Sequence, residues 1–135
     1  MTMLDKKYLL RAIKLSNQSK ESVGCGVIIV ANGKVIARAF NSQRTGNVAI
    51  NHAEIKAIIM ANQKTKCREL NNSVAYCSCE PCAMCLTALS YAKVDRIVFN
   101  KTMKELFPKD RQPKLNSREF INHLNFIPQL VQLDI

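Results

Sequence analysis

Two short clusters of this 135-residue chain carry side chains that bind transition metals. Cys82 and Cys85 form a Cys-x-x-Cys pair at the predicted start of a helix, a spacing that places both sulfurs on one helix face. The positive end of the helix dipole favours thiolate over thiol there. With the imidazole of His52, the two sulfurs would make a three-ligand zinc site, and such sites keep one position open for chemistry.

Glu54 stands two residues after His52, within reach of the same metal but not needed as a ligand. A His-x-Glu followed by Pro-Cys-x-x-Cys is the pattern typical of zinc-dependent deaminases of bases and nucleosides. We therefore predict that His52, Cys82 and Cys85 bind one zinc ion per chain. Glu54 would move protons from water to the leaving amine.

The same Cys-x-x-Cys has two other interpretations. A cysteine pair at a helix start after a strand is also the thioredoxin arrangement, which predicts a thiol redox protein using Cys82 and Cys85. That interpretation gives His52 and Glu54 no role. A zinc-binding but catalytically silent fold is the third possibility, and it would have no need of Glu54 as a proton carrier.

The scaffold that positions these residues is predicted to be one α/β domain spanning 1–135. Residue patterns predict helices over 2–19, 52–62, 81–92 and 117–124, and strands over 25–30, 35–40, 73–77, 96–100 and 130–133. Asn32-Gly33 predicts a tight hairpin between the first two strands, which makes them antiparallel. Residues 101–127 are long enough for a helical crossover, so strands four and five should be parallel. The result is a three-layer α/β/α sandwich around a five-stranded mixed sheet.

Composition sets further expectations. No apolar run is long enough for a membrane span and no export signal is evident, so we expect a cytoplasmic protein. Its six cysteines should then be reduced, with Cys25 and Cys67 as ordinary thiols and Cys77 and Cys79 as buried small side chains. The net charge of +10 is compatible with an RNA partner, although the basic residues are not clustered.

On these motifs the chain resembles the cytidine deaminase-like superfamily. Its run from Ser78 to Leu86, SCEPCAMCL, is most similar to the bacterial guanine deaminases and next to the tRNA adenosine deaminases. The resemblance implies a purine base or nucleoside as substrate, guanine-type first, and a parallel fifth strand. It also implies that Asn41 and the backbone N–H of Ala53 contact the base, and that the protein is a homodimer.

The chain departs from these relatives at several positions. Val48 and Ala49 replace a usual Asp-Pro, so the loop before His52 is expected to differ in shape. Thr87 and Tyr91 replace a glycine and a tryptophan. The relatives continue into a further helix, whereas this sequence ends at Ile135. The last feature favours a small purine, while the basic charge favours the alternative, adenosine in a tRNA loop.

Overall fold

A computed structural model describes residues 2–107 and 114–135. The five helices described are α1 Met3–Ser16, α2 Ala53–Thr65, α3 Ala83–Tyr91, α4 Met103–Leu106 and α5 Ser117–Ile121. The strands are β1 Gly26–Ala31, β2 Lys34–Phe40, β3 Ser73–Cys79, β4 Arg96–Lys101 and β5 Gln129–Gln132. In this part of the chain no helix combines the length and the apolar character that crossing a membrane requires.

The strands form one five-stranded sheet in the order β2-β1-β3-β4-β5. β1 pairs antiparallel with β2 and β3, while β4 pairs parallel with β3 and β5. Asn32 and Gly33 both have positive φ, 50° and 78°, as the tight hairpin requires. The predicted mixed sheet, its antiparallel hairpin and its parallel β4–β5 pair are confirmed.

Helices cover both faces of the sheet, which confirms the three predicted layers. Alternate residues of β1 point to opposite faces, so Val27 and Ile29 join one core while Ile28 and Val30 join the other. The first core is closed by α2, α3 and α5, and the second by α1. A β1 strand buried on both faces reads as a continuous apolar run, as observed.

Several predicted helix boundaries were wrong. The first helix ends at Ser16 instead of residue 19, and α5 ends at Ile121 because the next residues form separate turns. The third helix begins at Ala83, so Pro81 precedes the helix instead of occupying its first turn. The short helix α4, inside the predicted crossover, was not expected. Residues 108–113 of that crossover lie outside the described residues.

The expectation that every cysteine is a free thiol was also wrong. Cys25 and Cys79 form a disulfide with Cα atoms 5.7 Å apart. The antiparallel register of β1 with β3 explains the pairing, because Val27 lies opposite Cys77 and the next pair outward on the same face is 25 with 79. Strand register is a tertiary property, so spacing along the chain could not reveal it. The other four cysteines are free, at positions 67, 77, 82 and 85.

Candidate active site

The structure brings the three predicted metal ligands together. Nδ1 of His52 lies 3.7 Å from Sγ of Cys82 and 3.5 Å from Sγ of Cys85. The donor atoms of all three side chains fall within 4.8 Å of one another. One imidazole nitrogen and two sulfurs at this separation can share one tetrahedral ion, and this is a donor set that zinc prefers.

Two helix starts create the cluster. His52 is the N-cap of α2 and Cys82 is the N-cap of α3, each with extended backbone angles. The two helices pack on the same face of the sheet, so their N-termini meet beside the ends of β2 and β3. Cys85 lies one helical turn beyond Cys82 and is fully buried.

Glu54 lies next to the cluster and is 4 % exposed. Its Oε2 lies 3.3 Å from Sγ of Cys85, within hydrogen-bond distance. Burial raises the pKa of this carboxyl group, and the hydrogen bonds it accepts offset only part of that rise. A raised pKa makes it easier for the carboxyl group to take up a proton, which is one half of the transfer that general acid–base catalysis requires.

The three proposed ligand side chains shift one another's pKa values, because they are hydrogen-bonded together. Hydrogen bonds from Cys85 and His52 lower the pKa of Cys82 to about 4, although burial opposes the change. The pKa of Cys85 is raised because its thiol donates to Cys82 and is buried. The hydrogen bond to Cys82 also raises the pKa of His52. Of the three ligand side chains, Cys82 is therefore the first to lose its proton as the pH rises, and its thiolate can then bind a cation.

A cavity of about 440 Å³ opens onto the cluster, and its walls include His52, Glu54 and Cys82. The two predicted base-binding residues, Asn41 and Ala53, line it as well. Ala53 is the first residue of α2, so its backbone N–H has no partner within the helix. Five of the six predicted site residues therefore line this cavity, and the sixth, Cys85, lies behind it within 3.5 Å of His52 and 3.3 Å of Glu54.

Asn41 is held by the backbone of the segment before β1. Its Oδ1 accepts from the N–H of Cys25 at 2.8 Å, and its Nδ2 donates to the carbonyl of Val23 at 2.9 Å. A carboxamide has two N–H bonds and an oxygen with two lone pairs. These two contacts leave one donor and one acceptor site, so the side chain can still pair with a ligand.

The loop over 41–51 is fastened at both sides, although it lacks the Asp-Pro of related sequences. Nζ of Lys56 donates to the carbonyl of Phe40 at 2.7 Å and to Oγ of Ser42 at 2.9 Å. On the outer side, the carboxylate of Glu21 accepts from the backbone N–H groups of Arg44 and Thr45. The loop is therefore anchored on both sides, and the expected difference in its shape stays a prediction.

Sequence reasoning missed other parts of the cavity wall. Cys25 and Cys79 contribute their disulfide, and Glu80 contributes a buried carboxylate. Met103 and Phe107 reach the cavity from α4 and the residue after it. Glu80 stands inside the SCEPC run and was given no role there. No residue pattern predicts that α4 lines the cavity, because this depends on the path of the connection between β4 and β5 in the folded protein.

Residues 2–101 match the family described as cytidine and deoxycytidylate deaminase zinc-binding region. This chain belongs to that family. The resemblance to the cytidine deaminase-like superfamily, seen in the two motifs, is confirmed. Its cofactor is zinc, in agreement with the His/Cys/Cys donor set.

The relatives of this chain include tRNA-specific adenosine deaminases and a guanine deaminase. It is 35 % identical over 97 residues to a tRNA-specific adenosine deaminase of Bacillus subtilis (strain 168), covering 70 % of this chain and 60 % of the relative. It is 33 % identical over 100 residues to a guanine deaminase of the same organism, covering 72 % and 64 %. The matched part of this chain therefore covers less than two thirds of the length of either relative. A solved structure from work on tRNA:A34 deaminases superposes with a TM-score of 0.74 at 25 % identity, covering 97 % and 92 %.

Proposed function

We propose that this chain is a zinc-dependent hydrolytic deaminase of a purine, which replaces an exocyclic amine by oxygen and releases ammonia. The observation that carries the proposal is the cluster of His52, Cys82 and Cys85, whose donor atoms lie within 4.8 Å of one another beside the buried carboxylate of Glu54. His52, Cys82 and Glu54 also line one cavity. We assign these three side chains as the zinc ligands. When bound, zinc lowers the pKa of water and so supplies a nucleophile at neutral pH.

The protein residues supply the proton transfers and the orientation of the base. Glu54 takes a proton from the attacking water and delivers it to the departing amine, which leaves as ammonia. Its position at the second residue of α2 fixes the carboxylate beside the metal ligands without using it as a ligand. The carboxylate of Glu54 is 4 % exposed, so the proton that it carries is shielded from bulk water.

Asn41 and Ala53 are assigned to base recognition. The free donor and acceptor of the Asn41 amide suit the edge of a purine, which offers both groups. The N–H of Ala53 supplies a further donor at the helix start. Both residues line the same cavity as His52, Glu54 and Cys82, so we assign them to hold the base with its amine-bearing carbon towards the ligand cluster.

Guanine is our preferred substrate, and adenosine in a tRNA anticodon loop is the second candidate. The SCEPC run and the compact cavity of about 440 Å³ favour a free base. The tRNA candidate is favoured by the net charge of +10 and by the tRNA-specific relatives. A thiol redox role is less well supported, because the histidine and the glutamate beside the cysteine pair have no place in it.

Ammonia release from a substrate panel tests the proposal. The panel contains guanine, adenine, adenosine, cytosine, cytidine and an anticodon stem-loop RNA, each with zinc-loaded protein. We expect turnover of guanine that is insensitive to salt. Turnover of the stem-loop alone, weakening as salt rises, would replace guanine by the second candidate. Turnover restricted to the pyrimidines, or of nothing in the panel, would contradict the purine assignment.

We also propose that the deaminase forms a homodimer through α2 and α3. These helices expose apolar side chains on the side away from the sheet, with Ile59 51 % and Tyr91 77 % exposed. Met60 on α2 and Met84 on α3 extend the same surface. A second copy of the chain would bury this surface, and exposed apolar groups of this size otherwise cost solubility.

A further inference from the structure

Glu80 is a buried carboxylate that the proposed chemistry does not use. It precedes Pro81 and Cys82, and only 8 % of its surface is exposed. Burying a charged carboxylate is costly unless donors surround it. Glu80 has three donors from two separate elements. They come from the backbone N–H of Met103 at 2.9 Å, the backbone N–H of Ser117 at 3.1 Å and the hydroxyl of Ser117.

These donors are the first residues of two helices. Met103 begins α4 and Ser117 begins α5, and a first helical residue has no hydrogen-bond partner for its N–H inside the helix. One carboxylate therefore satisfies both helix starts, Oε1 on α4 and Oε2 on α5. The backbone N–H of Glu80 itself donates to the carbonyl of Lys101 at 2.8 Å. The residue thus ties the metal-ligand segment to the crossover.

The tied segment forms part of the cavity wall. Met103 and Phe107 line the cavity that holds Glu54, and Glu80 lines it too. A second cavity of about 300 Å³ is lined by Glu80, Met103 and Ser117. Met103 therefore separates two cavities, and a shift of its backbone would change the shape of both. The hydrogen bonds from Met103 and Ser117 to Glu80 hold the start of this wall segment in place, beside the capping box of Thr102 and Glu105.

We propose that Glu80 is a positioning residue of the deaminase, which sets the shape of the substrate cavity by anchoring the wall formed by Met103 and Phe107. The inference rests on the proposed function, because it takes the cavity to be the substrate site. Glu80 acts through the wall and does not touch the reacting atoms. Its loss should weaken substrate binding while leaving the chemical step intact.

The test compares Glu80→Gln and Ser117→Ala with Glu119→Gln. Glutamine keeps the shape of Glu80 but presents an N–H₂ group to one of the two helix starts that need an acceptor. Ser117→Ala removes a single donor and keeps the backbone N–H, so it remains informative if Glu80→Gln fails to fold. The control Glu119→Gln removes the charge of an exposed carboxylate on α5. Its Oε1 accepts a hydrogen bond from Nδ2 of Asn116 at 3.0 Å.

We expect Glu80→Gln to raise KM for the best substrate of the panel by about tenfold, because hydrogen bonds to a charged group are lost. Its kcat should stay within about twofold of the wild-type value, and its zinc content should not change. Ser117→Ala should raise KM in the same direction by less, and Glu119→Gln should leave it unchanged. An unchanged KM in both test variants, a fall in kcat alone, or loss of zinc would overturn the proposal.

Amide hydrogen exchange gives a readout that needs no activity. The N–H groups of Met103 and Ser117 should exchange faster in Glu80→Gln than in the wild type, because their acceptor is weakened. Unchanged exchange at both positions overturns the anchoring role whatever the activity. If the wild type releases no ammonia from any panel member, the proposed function fails, and faster exchange in the variant still supports Glu80 as the anchor of this segment.

Discussion

At the scale of single residues, Glu54 combines burial with a thiol neighbour. Its carboxylate is 4 % exposed and lies 3.3 Å from Sγ of Cys85. Burial raises the pKa of this carboxyl group, because a charged group is disfavoured away from water. Its neighbour Cys85 is one of the proposed zinc ligands, so the proton carrier and the metal site are in direct contact.

Glu54→Gln should retain zinc and lose nearly all turnover, by a factor of about 10³, since glutamine can neither accept nor deliver the proton. Zinc content by elemental analysis and ammonia release check the two parts. The matched control is Glu69→Gln, which makes the same change at a half-buried carboxylate in the α2–β3 connection, outside the cavity. Full activity in Glu54→Gln would remove Glu54 from the mechanism.

Cys85→Ala should lose bound zinc and, with it, activity. The substitution takes one of three protein ligands from the buried end of the cluster. Cys67→Ala is the matched control, because Cys67 is a free and exposed cysteine outside the cavity. Elemental analysis of both proteins, prepared in parallel, makes the comparison. Normal zinc content in Cys85→Ala would contradict the ligand assignment.

Zinc affinity should fall as the pH is lowered. Zinc binds the neutral imidazole and the thiolates, so protons compete with it. The pKa of His52 is raised by its hydrogen bond to Cys82, so this competition begins at a higher pH than for an unperturbed histidine. We expect affinity to fall about tenfold for each pH unit below that pKa, and more steeply where a thiolate also protonates. Competition with a chromophoric chelator between about pH 8 and about pH 6 measures it, and a flat profile would contradict the account.

At the scale of elements, α1 is fastened to the sheet by one buried carboxylate. Asp5 is 3 % exposed and pairs with Arg96 of β4 at 3.0 Å and with the hydroxyl of Tyr76 of β3 at 2.8 Å. Burial by itself would raise the pKa of Asp5, but the hydrogen bonds from Arg96 and Tyr76 outweigh it and lower the pKa to about 2. Asp5 also completes a capping box with Thr2, which confirms the predicted start of α1.

Asp5→Asn should destabilise the fold by about 2 kcal/mol, because hydrogen bonds to a charged group are lost and Arg96 keeps its charge. Since the folded-state pKa of Asp5 is lowered, its contribution is complete above the unfolded value of 3.8 and disappears as the pH falls towards 2. Urea unfolding of wild type and variant at neutral and acid pH measures the difference. A difference in stability that does not shrink in acid would contradict this assignment.

The elements that the sequence predicts well are those with local causes. The β1–β2 hairpin follows from Asn32-Gly33, and the metal ligands follow from spacing at two helix starts. Features with tertiary causes could not be predicted in this way. The Cys25–Cys79 disulfide depends on strand register, and the bonds of Glu80 depend on where the crossover folds back.

At the scale of the whole molecule, the two outer layers differ. The layer of α2 and α3 exposes Ile59, Met60 and Tyr91 on neighbouring helices, and a groove of about 800 Å³ runs between these helices and residues 123–126. On the other side of the sheet, α1 also exposes the apolar residues Met3, Leu4 and Leu10, but they alternate with the exposed charges of Lys6, Lys7 and Arg11. A partner chain is therefore expected on the α2–α3 side.

Tyr91→Glu should dissociate the proposed homodimer, since a charge would be buried at the centre of the apolar surface. Leu10→Glu is the matched control, placing the same charge at an exposed apolar site on α1. Sedimentation velocity over a range of protein concentrations gives the mass of each variant. A wild type that is monomeric throughout, or a Tyr91→Glu variant that stays dimeric, would contradict the proposed interface.

The most direct test of the central claim is to measure ammonia release while zinc is restored stepwise to chelated protein. Residues 52, 82 and 85 form one three-ligand cluster per chain in the described structure. Turnover of the best substrate should therefore rise in proportion to bound zinc and level off at about one ion per chain. Turnover that is full without zinc, or absent with the cluster fully loaded, would contradict a zinc-dependent deaminase.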